Sequence, residues 1–297
     1  MKNADVSLGF IGLGVMGEPM CSNLIRKSKQ RVFINDLDSA PAQRLAAEGG
    51  LACASIADVA RAADIVFLSL PSIVQVEQVC EGPNGLIAAK GKVRIVVDMS
   101  TSDVTRTSSL AERMRERGIV LIDAPVARMR QAAKDGTLMI TVGSTPEDLE
   151  TVSPYLSCMG SDVIHCGGIG NGQVVKIMNN MVVFMTVHAL AEAITIGRSA
   201  GVDGTLLFNA LSKGSADSFV LRNPGQKALA PDNFPEKAFP TEYAIKDIML
   251  ALELARQGNV DARAAKLTHS LLEQTRAAGF VKEYYPVMVR LIEKGYR

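Results

Sequence analysis

Through the first half of the chain, short β-branched runs alternate with helical stretches: Val6 to Ile11, Val32 to Asn35, Ile65 to Leu70, Arg94 to Val97, Val120 to Ile122 and Met139 to Val142. A helical crossover returns the chain to the end at which the preceding strand began, so strands spaced in this way pair in parallel. Ile65-Val66-Phe67-Leu68 is apolar on both strand faces, as required when helices cover both sides of the sheet. The expected class is α/β, a doubly wound parallel sheet. After Gly167-Gly168-Ile169-Gly170-Asn171-Gly172 the pattern becomes long and helical, with no strand expected before Arg297. This places a boundary between residues 1–166 and an all-helical second domain, 167–297, in a chain whose 297 residues suit two ordinary domains. The first helix of that domain, Gln173 to about Ala200 and closed by Gly201, is apolar nearly all round. It must therefore be covered by the first domain, by its own neighbours or by a second subunit. Lys176, Asn179, Asn180, His188 and Glu192 within it argue against a plain membrane span.

The first strand runs directly into Gly12-Leu13-Gly14-Val15-Met16-Gly17, and Glu18 to Arg26 reads as a helix. In that context G-x-G-x-x-G marks a Rossmann-type dinucleotide site. Gly12 permits the tight turn, Gly14 lets the backbone approach a pyrophosphate, and Gly17 allows close helix packing with the helix N-terminus facing the phosphates. Asp36 ends the next strand about 20 residues on, where a carboxylate accepts hydrogen bonds from the adenosine ribose. It would repel a 2′-phosphate, and Leu37 follows it in place of an arginine, so NAD is expected in preference to NADP. The competing reading is that Asp36 or Asp38 merely caps the following helix.

Charge and cysteine content narrow the partners. With 32 Lys and Arg against 31 Asp and Glu, the net charge of +1 gives no electrostatic draw toward nucleic acid or an acidic membrane. Five cysteines without a Cys-x-x-Cys pair, and an N-terminus without a signal-length apolar stretch, lead to the expectation of a reduced cytoplasm. His165, His188 and His269 lie far apart, and Cys166 beside His165 lacks further ligands, so no metal is expected. His188 and Glu192, one helical turn apart, read as a structural contact.

Taken together, several blocks resemble the β-hydroxyacid dehydrogenase family, which includes 3-hydroxyisobutyrate dehydrogenase and tartronate semialdehyde reductase. They are GFIGLGVMGEPMCSNL at 9–24, Leu70-Pro71, DMSTS at 98–102, DAPV at 123–126, DGTLMITVG at 135–143, GGIGNGQVVKIMNN at 167–180 and KDIMLALELA at 246–255. The resemblance implies that Lys176 is the catalytic lysine and that Asn180, with Asn179 beside it, helps hold the substrate. It implies too that Leu70, Pro71 and Thr101 line the cofactor channel, that Lys246 reaches the nicotinamide ribose region, and that Phe239 lies near the nicotinamide. On a helix, residues 176 and 180 share one face. A lysine at its ordinary pKa of ~10.4 shuttles protons poorly at neutral pH, but burial and a nearby cation bring it toward about 7–8. The site is expected in the cleft between the two domains.

One block departs from the family pattern. Where the family commonly reads Asp-Ala-Pro-Val-Ser-Gly-Gly, with serine and glycine donors for the substrate carboxylate, this chain reads Asp123-Ala124-Pro125-Val126-Ala127-Arg128-Met129. An arginine here resembles the branch containing sulfolactaldehyde reductase. The guanidinium fork matches a carboxylate, sulfonate or phosphate oxygen pair, so Arg128 is expected to anchor the anion beside Ala127, with Arg130 competing for that task. The expected reaction is hydride transfer between NAD and a small anionic 3-hydroxyacid or its semialdehyde, with Lys176 as general acid/base and Asn180 orienting the reacting oxygen. Reductases of sulfolactaldehyde or succinic semialdehyde type and a β-hydroxy amino acid dehydrogenase remain as alternatives. Relatives that only bind dinucleotide, or that reduce imines, lack the lysine, so Lys176 speaks against both. The apolar helical domain leads to the expectation of a homodimer or homotetramer.

Overall fold

The computed structural model describes residues 6–236 and 238–293. By packing, the chain divides into two compact units, one running to Lys176 and the other from Ile177. The first unit contains, in order, β1 (Leu8–Ile11), α1 (Gly17–Ser28), β2 (Val32–Asn35), α2 (Ser39–Ala47), β3 (Leu51–Ala52), α3 (Ile56–Ala62), β4 (Ile65–Leu68) and α4 (Ile73–Glu81). It continues with β5 (Ile95–Asp98), α5 (Val104–Arg115), β6 (Val120–Asp123), β7 (Val126–Ala127), α6 (Arg130–Asp135), β8 (Leu138–Gly143), α7 (Pro146–Leu156) and β9 (Gly160–Gly167).

The sheet order is β3-β2-β1-β4-β5-β6-β8-β7, with β9 on β8. From β3 to β6 every pairing is parallel. The order reverses direction at β1, which places a crevice beyond the carboxyl ends of the strands, where ligands of such sheets bind. Side chains alternate between two cores, one on each face: Leu8, Phe10, Phe67, Val97 and Ile122 on one, Ile11, Val66, Leu68, Val96 and Leu121 on the other. That period-two division is why these strands read as continuous apolar runs.

The sheet is not parallel throughout. β8 runs antiparallel to both β6 and β7, and β9 then pairs parallel to β8. The sequence gives little signal for β3 and β7, which are two residues each, or for β9, whose GSDVIHCG lies on the sheet edge with several exposed positions. Side-chain caps open α2, α3, α4, α5 and α7, from Asp38, Ser55, Ser72, Asp103 and Thr145. At the start of α1, Met16 provides no such cap.

From residue 171 onward the described chain is helical: α8 (Asn171–Ser199), α9 (Gly204–Leu211), a π-helical segment (Leu221–Leu229), α10 (Thr241–Gln257), α11 (Arg263–Ala277), a 3₁₀ turn (Tyr285–Met288) and α12 (Val289–Glu293). The division between the units falls within α8. Phe184, Val187, Ala191 and Ile194 of α8 pack with Phe208, Ile245, Ile248 and Leu272 in the core of the second unit. This face of a helix long and apolar enough to cross a bilayer is thus a protein core. Elsewhere on α8, Val182 and Ile196 are more than half exposed. His188 makes a structural contact, with Nδ1 3.0 Å from the Thr268 hydroxyl and Nε2 3.5 Å from Glu192.

Candidate active site

At the end of β1 the chain turns at Gly12, whose φ of +93° is open to glycine at little cost. A Cβ there would lie 2.3 Å from the Ser69 carbonyl oxygen, and one on Gly17 would lie 2.0 Å from that of Gly12. These two glycines answer to the protein's own backbone. Gly14 differs, because a Cβ on it would meet nothing within 4 Å. The missing side chain there relieves no internal contact and leaves the main chain open to a ligand. Beside it, the N-terminus of α1 carries no side-chain cap; the Glu18 N–H meets the Gly14 carbonyl oxygen at 3.0 Å and Pro19 has none, and the positive end of the helix dipole suits an anion. Leu13 is buried and Val15 exposed, while Met16 packs partly on the core, so this turn presents main chain more than side chains.

Asp36 closes the arrangement. Its carboxylate accepts the Leu13 N–H from the glycine turn and, at 2.8 Å, the Asp38 N–H. The capping of α2 falls to Asp38, which accepts the Ala40 N–H at 3.0 Å. Asp36 is therefore bound to the glycine turn and is not a helix cap. An open glycine main chain, an uncapped helix start and a carboxylate at the end of β2 fit a dinucleotide such as NAD.

The loops after β4 and β5 are tied to each other at the same edge. Ser100 Oγ accepts the Leu70 N–H at 2.9 Å, which fixes Leu70 and the exposed Pro71 against the segment containing Thr101. Asp98 and Asp123 are register partners at the ends of β5 and β6, and both are fully buried. Asp98 accepts from the Ser100 N–H and the Ser102 hydroxyl, each at 2.9 Å. Asp123 accepts the Gly170 N–H at 2.6 Å and the Gln173 N–H at 2.8 Å. Burial, with the nearby Asp98 charge, pushes the Asp123 carboxyl up to about 7 against the pull of those two N–H groups. Lys176 stands one turn beyond this anchored start of α8 and is half-buried.

In the second unit, Asn180 and Asp247 are buried together. Asn180 Nδ2 donates to Asp247 at 2.7 Å, and its Oδ1 accepts from Asn179 Nδ2 at 3.1 Å. The Lys246 ammonium lies 3.1 Å from the other Asp247 oxygen. Asp247 was not among the sequence candidates. A signal for it exists, since an acid interrupts the apolar face Ala244, Ile248, Ala251 of α10. Phe239 packs in an aromatic cluster with Phe184, Tyr285 and Tyr243, at centroid distances of 6.0 to 6.1 Å.

The loop after β6 places its residues as follows from strand pairing and hydrogen bonding. Ala127 is a buried strand residue of β7 paired with Met139, so its side chain offers nothing to a substrate. Arg128 has a φ of +85°, in the left-handed region that favours glycine. Its guanidinium donates to the Thr137 carbonyl oxygen at 2.6 Å and the Ser161 hydroxyl at 2.9 Å, and pairs with Asp162 at 2.7 Å. A fork engaged in this way ties the loop to the start of β8 and β9. Arg130 opens α6 and is exposed.

Residues 7–168 match the NAD binding domain of 6-phosphogluconate dehydrogenase, and residues 170–292 match the NAD-binding domain of NADP-dependent 3-hydroxyisobutyrate dehydrogenase. The chain is 34% identical to 2-(hydroxymethyl)glutarate dehydrogenase of Eubacterium barkeri, over 98% of this chain and 96% of that one. It is also 34% identical to 2-hydroxy-3-oxopropionate reductase of Escherichia coli K12, covering 84% and 85% of the two chains. The solved structure of Mycobacterium tuberculosis 3-hydroxyisobutyrate dehydrogenase with L-serine superposes with a TM-score of 0.86 at 25% identity, covering 97% of this chain and 99% of that one.

The Arg128 contacts lead to a kinetic expectation. Arg128→Ala should lower kcat/KM for an anionic substrate and for its methyl ester by factors within about threefold of each other, because the fork acts on the loop. A charge-assisted pair to the substrate would be worth roughly 1.5–3 kcal/mol, so a loss of tenfold or more confined to the anion would return Arg128 to the anchoring role.

Proposed function

This chain belongs to the β-hydroxyacid dehydrogenase family, NAD(P)-dependent oxidoreductases acting on CH–OH, and we propose that its substrate is a 2-substituted 3-hydroxypropionate, HOCH2–CH(R)–COO−, or the matching semialdehyde. The observation that carries this reading is the placement of Lys176. Its helix starts on the carboxyl ends of the sheet strands, the same edge at which the open Gly14 turn follows β1. The skeleton is what the names of the three relatives have in common. 2-(Hydroxymethyl)glutarate, 3-hydroxyisobutyrate and 2-hydroxy-3-oxopropionate each carry an alcohol or aldehyde carbon next to the carbon that bears the carboxylate. They differ in R, which is carboxyethyl, methyl or hydroxyl.

Bound NAD supplies the hydride acceptor. The chain must supply a group for the hydroxyl proton, since the carbinol oxygen has to lose it as the carbonyl forms. Lys176 takes that proton in oxidation and returns it in reduction. Asn180 orients the reacting oxygen, with its amide held between Asp247 and Asn179 so that it does not swing. Asp247 also faces Lys246, which ties the lysine assigned to the nicotinamide ribose region to the same carboxylate.

A screen of 3-hydroxyisobutyrate, 2-(hydroxymethyl)glutarate, lactate and 1,3-propanediol tests the skeleton. The two 3-hydroxyacids should exceed lactate and the uncharged diol in kcat/KM by about a hundredfold, and a preference for lactate overturns the reading. Lys176→Ala should lower kcat by a factor on the order of 10² to 10⁴ while leaving NAD affinity within about threefold. Retention of a third of wild-type activity would contradict the lysine's role.

We propose further that a second copy of this chain covers the outer face of α8. Val182, Ala189 and Ile196 recur there every seven residues and are exposed, the spacing of a helix-pairing seam. Light scattering should find a dimer or larger assembly that Ile196→Glu dissociates. A monomeric wild type would exclude this.

A further inference from the structure

Gln173 sits three residues before Lys176, fully buried, and nothing so far assigns it a part in the chemistry. Its side chain performs two opposite tasks. Nε2 donates to the Ser100 carbonyl oxygen at 2.8 Å, and Oε1 accepts the Ser102 N–H at 3.0 Å. The two residues it grips flank Thr101, and Ser100 in turn receives the Leu70 N–H. Its own N–H is held by Asp123. Thr141 donates to the Gly172 carbonyl oxygen at 3.0 Å and fixes the residue before it.

We propose that Gln173 is a positioning residue: it clamps the start of α8 to the 100–102 loop and thereby sets where Lys176 stands relative to the cofactor-lining segment. The inference rests on the assignment of Lys176 as the proton-transferring group. The chemistry of the clamp selects glutamine. Only a carboxamide offers a donor and an acceptor side by side, as a carbonyl and an N–H on one loop require. Glutamate would put an oxygen against the Ser100 carbonyl and add a charge beside Asp98 and Asp123. Asparagine, one methylene shorter, would not span the gap from the helix. Methionine has nearly the same length and volume and makes neither bond. On a helix, residues three apart are neighbours, so a shift of the backbone at 173 moves 176 with it. A displacement of about 1 Å between reacting groups is enough to cost on the order of 10²-fold in rate.

Positioning through Lys176 makes a specific demand, namely that the effect of Gln173 disappear once Lys176 is gone. The experiment compares wild type, Gln173→Met, Lys176→Ala and the double variant. Each is assayed with NAD and the 3-hydroxyacid of highest kcat/KM from the screen above, the slow variants at high enzyme concentration. Gln173→Met should lower kcat about 10- to 100-fold in the wild-type background and less than about twofold in the Lys176→Ala background, with NAD affinity within threefold throughout. Equal losses in both backgrounds, or no loss in the first, would overturn the positioning role while leaving the lysine assignment intact. A Lys176→Ala variant that keeps a third or more of the activity overturns the lysine assignment and this proposal with it. Should methionine prevent folding, Gln173→Glu, which keeps the acceptor and loses the donor, goes through the same cycle with the same criteria.

Discussion

The buried carboxylate of Asp123 is the contact on which the arrangement around Lys176 depends. It ends β6, deep in the sheet, and accepts two N–H groups from the start of α8. A helix start leaves its first N–H groups without partners inside the helix, and burying them unpaired costs about 1–3 kcal/mol each. Asp123 answers that need from another element, so the end of a strand and the beginning of a helix 47 residues away are stabilised by the same bonds. The approach is close enough that a side chain on Gly172 would stand 2.7 Å from the carboxylate. Asp98, its cross-strand partner, organises Ser100 and Ser102 in the same way, and Gln173 joins the two networks. Turn, loop and lysine-bearing helix are thus referred to one rigid sheet edge, which is how a site made of distant residues keeps its geometry.

The second unit repeats the device on a smaller scale. Asp247 occupies a core position of α10 and is tolerated there because the Asn180 amide and the Lys246 ammonium meet it. In the same unit the aromatic rings of Phe184, Phe239, Tyr284 and Tyr285 pack edge to face, a geometry aromatic pairs prefer. In both units, then, a buried acid accepts hydrogen bonds of defined direction from α8 or the turn that leads into it.

Features that depend on short-range chemistry were legible in the sequence. The parallel strands followed from their apolar runs and spacing, and the glycine turn with Asp36 followed from the residue types that such a turn admits. What escaped depends on partners far along the chain. β7 and β9 exist because β8 is there to pair with them, and their own residues carry little strand signal. Arg128 read as an anion anchor because its neighbours in sequence suggested one, whereas its fork is taken by Ser161 and Asp162, 33 and 34 residues away. Asp123 and Gln173 stood inside recognised blocks, yet nothing local distinguishes an acid that ends a strand from one that grips a helix 47 residues on.

The helix carrying Lys176 is fastened to the sheet through Asp123, and amide hydrogen exchange reads that bond directly. The Gly170 and Gln173 amides should exchange only through global unfolding, as slowly as those of β5 and β6, while the amide of exposed Gly168 exchanges rapidly. In Asp123→Asn, which cannot accept both N–H groups, at least one of the two should lose its protection. Exchange of Gly170 and Gln173 in the wild type at the rate of Gly168 would contradict the account.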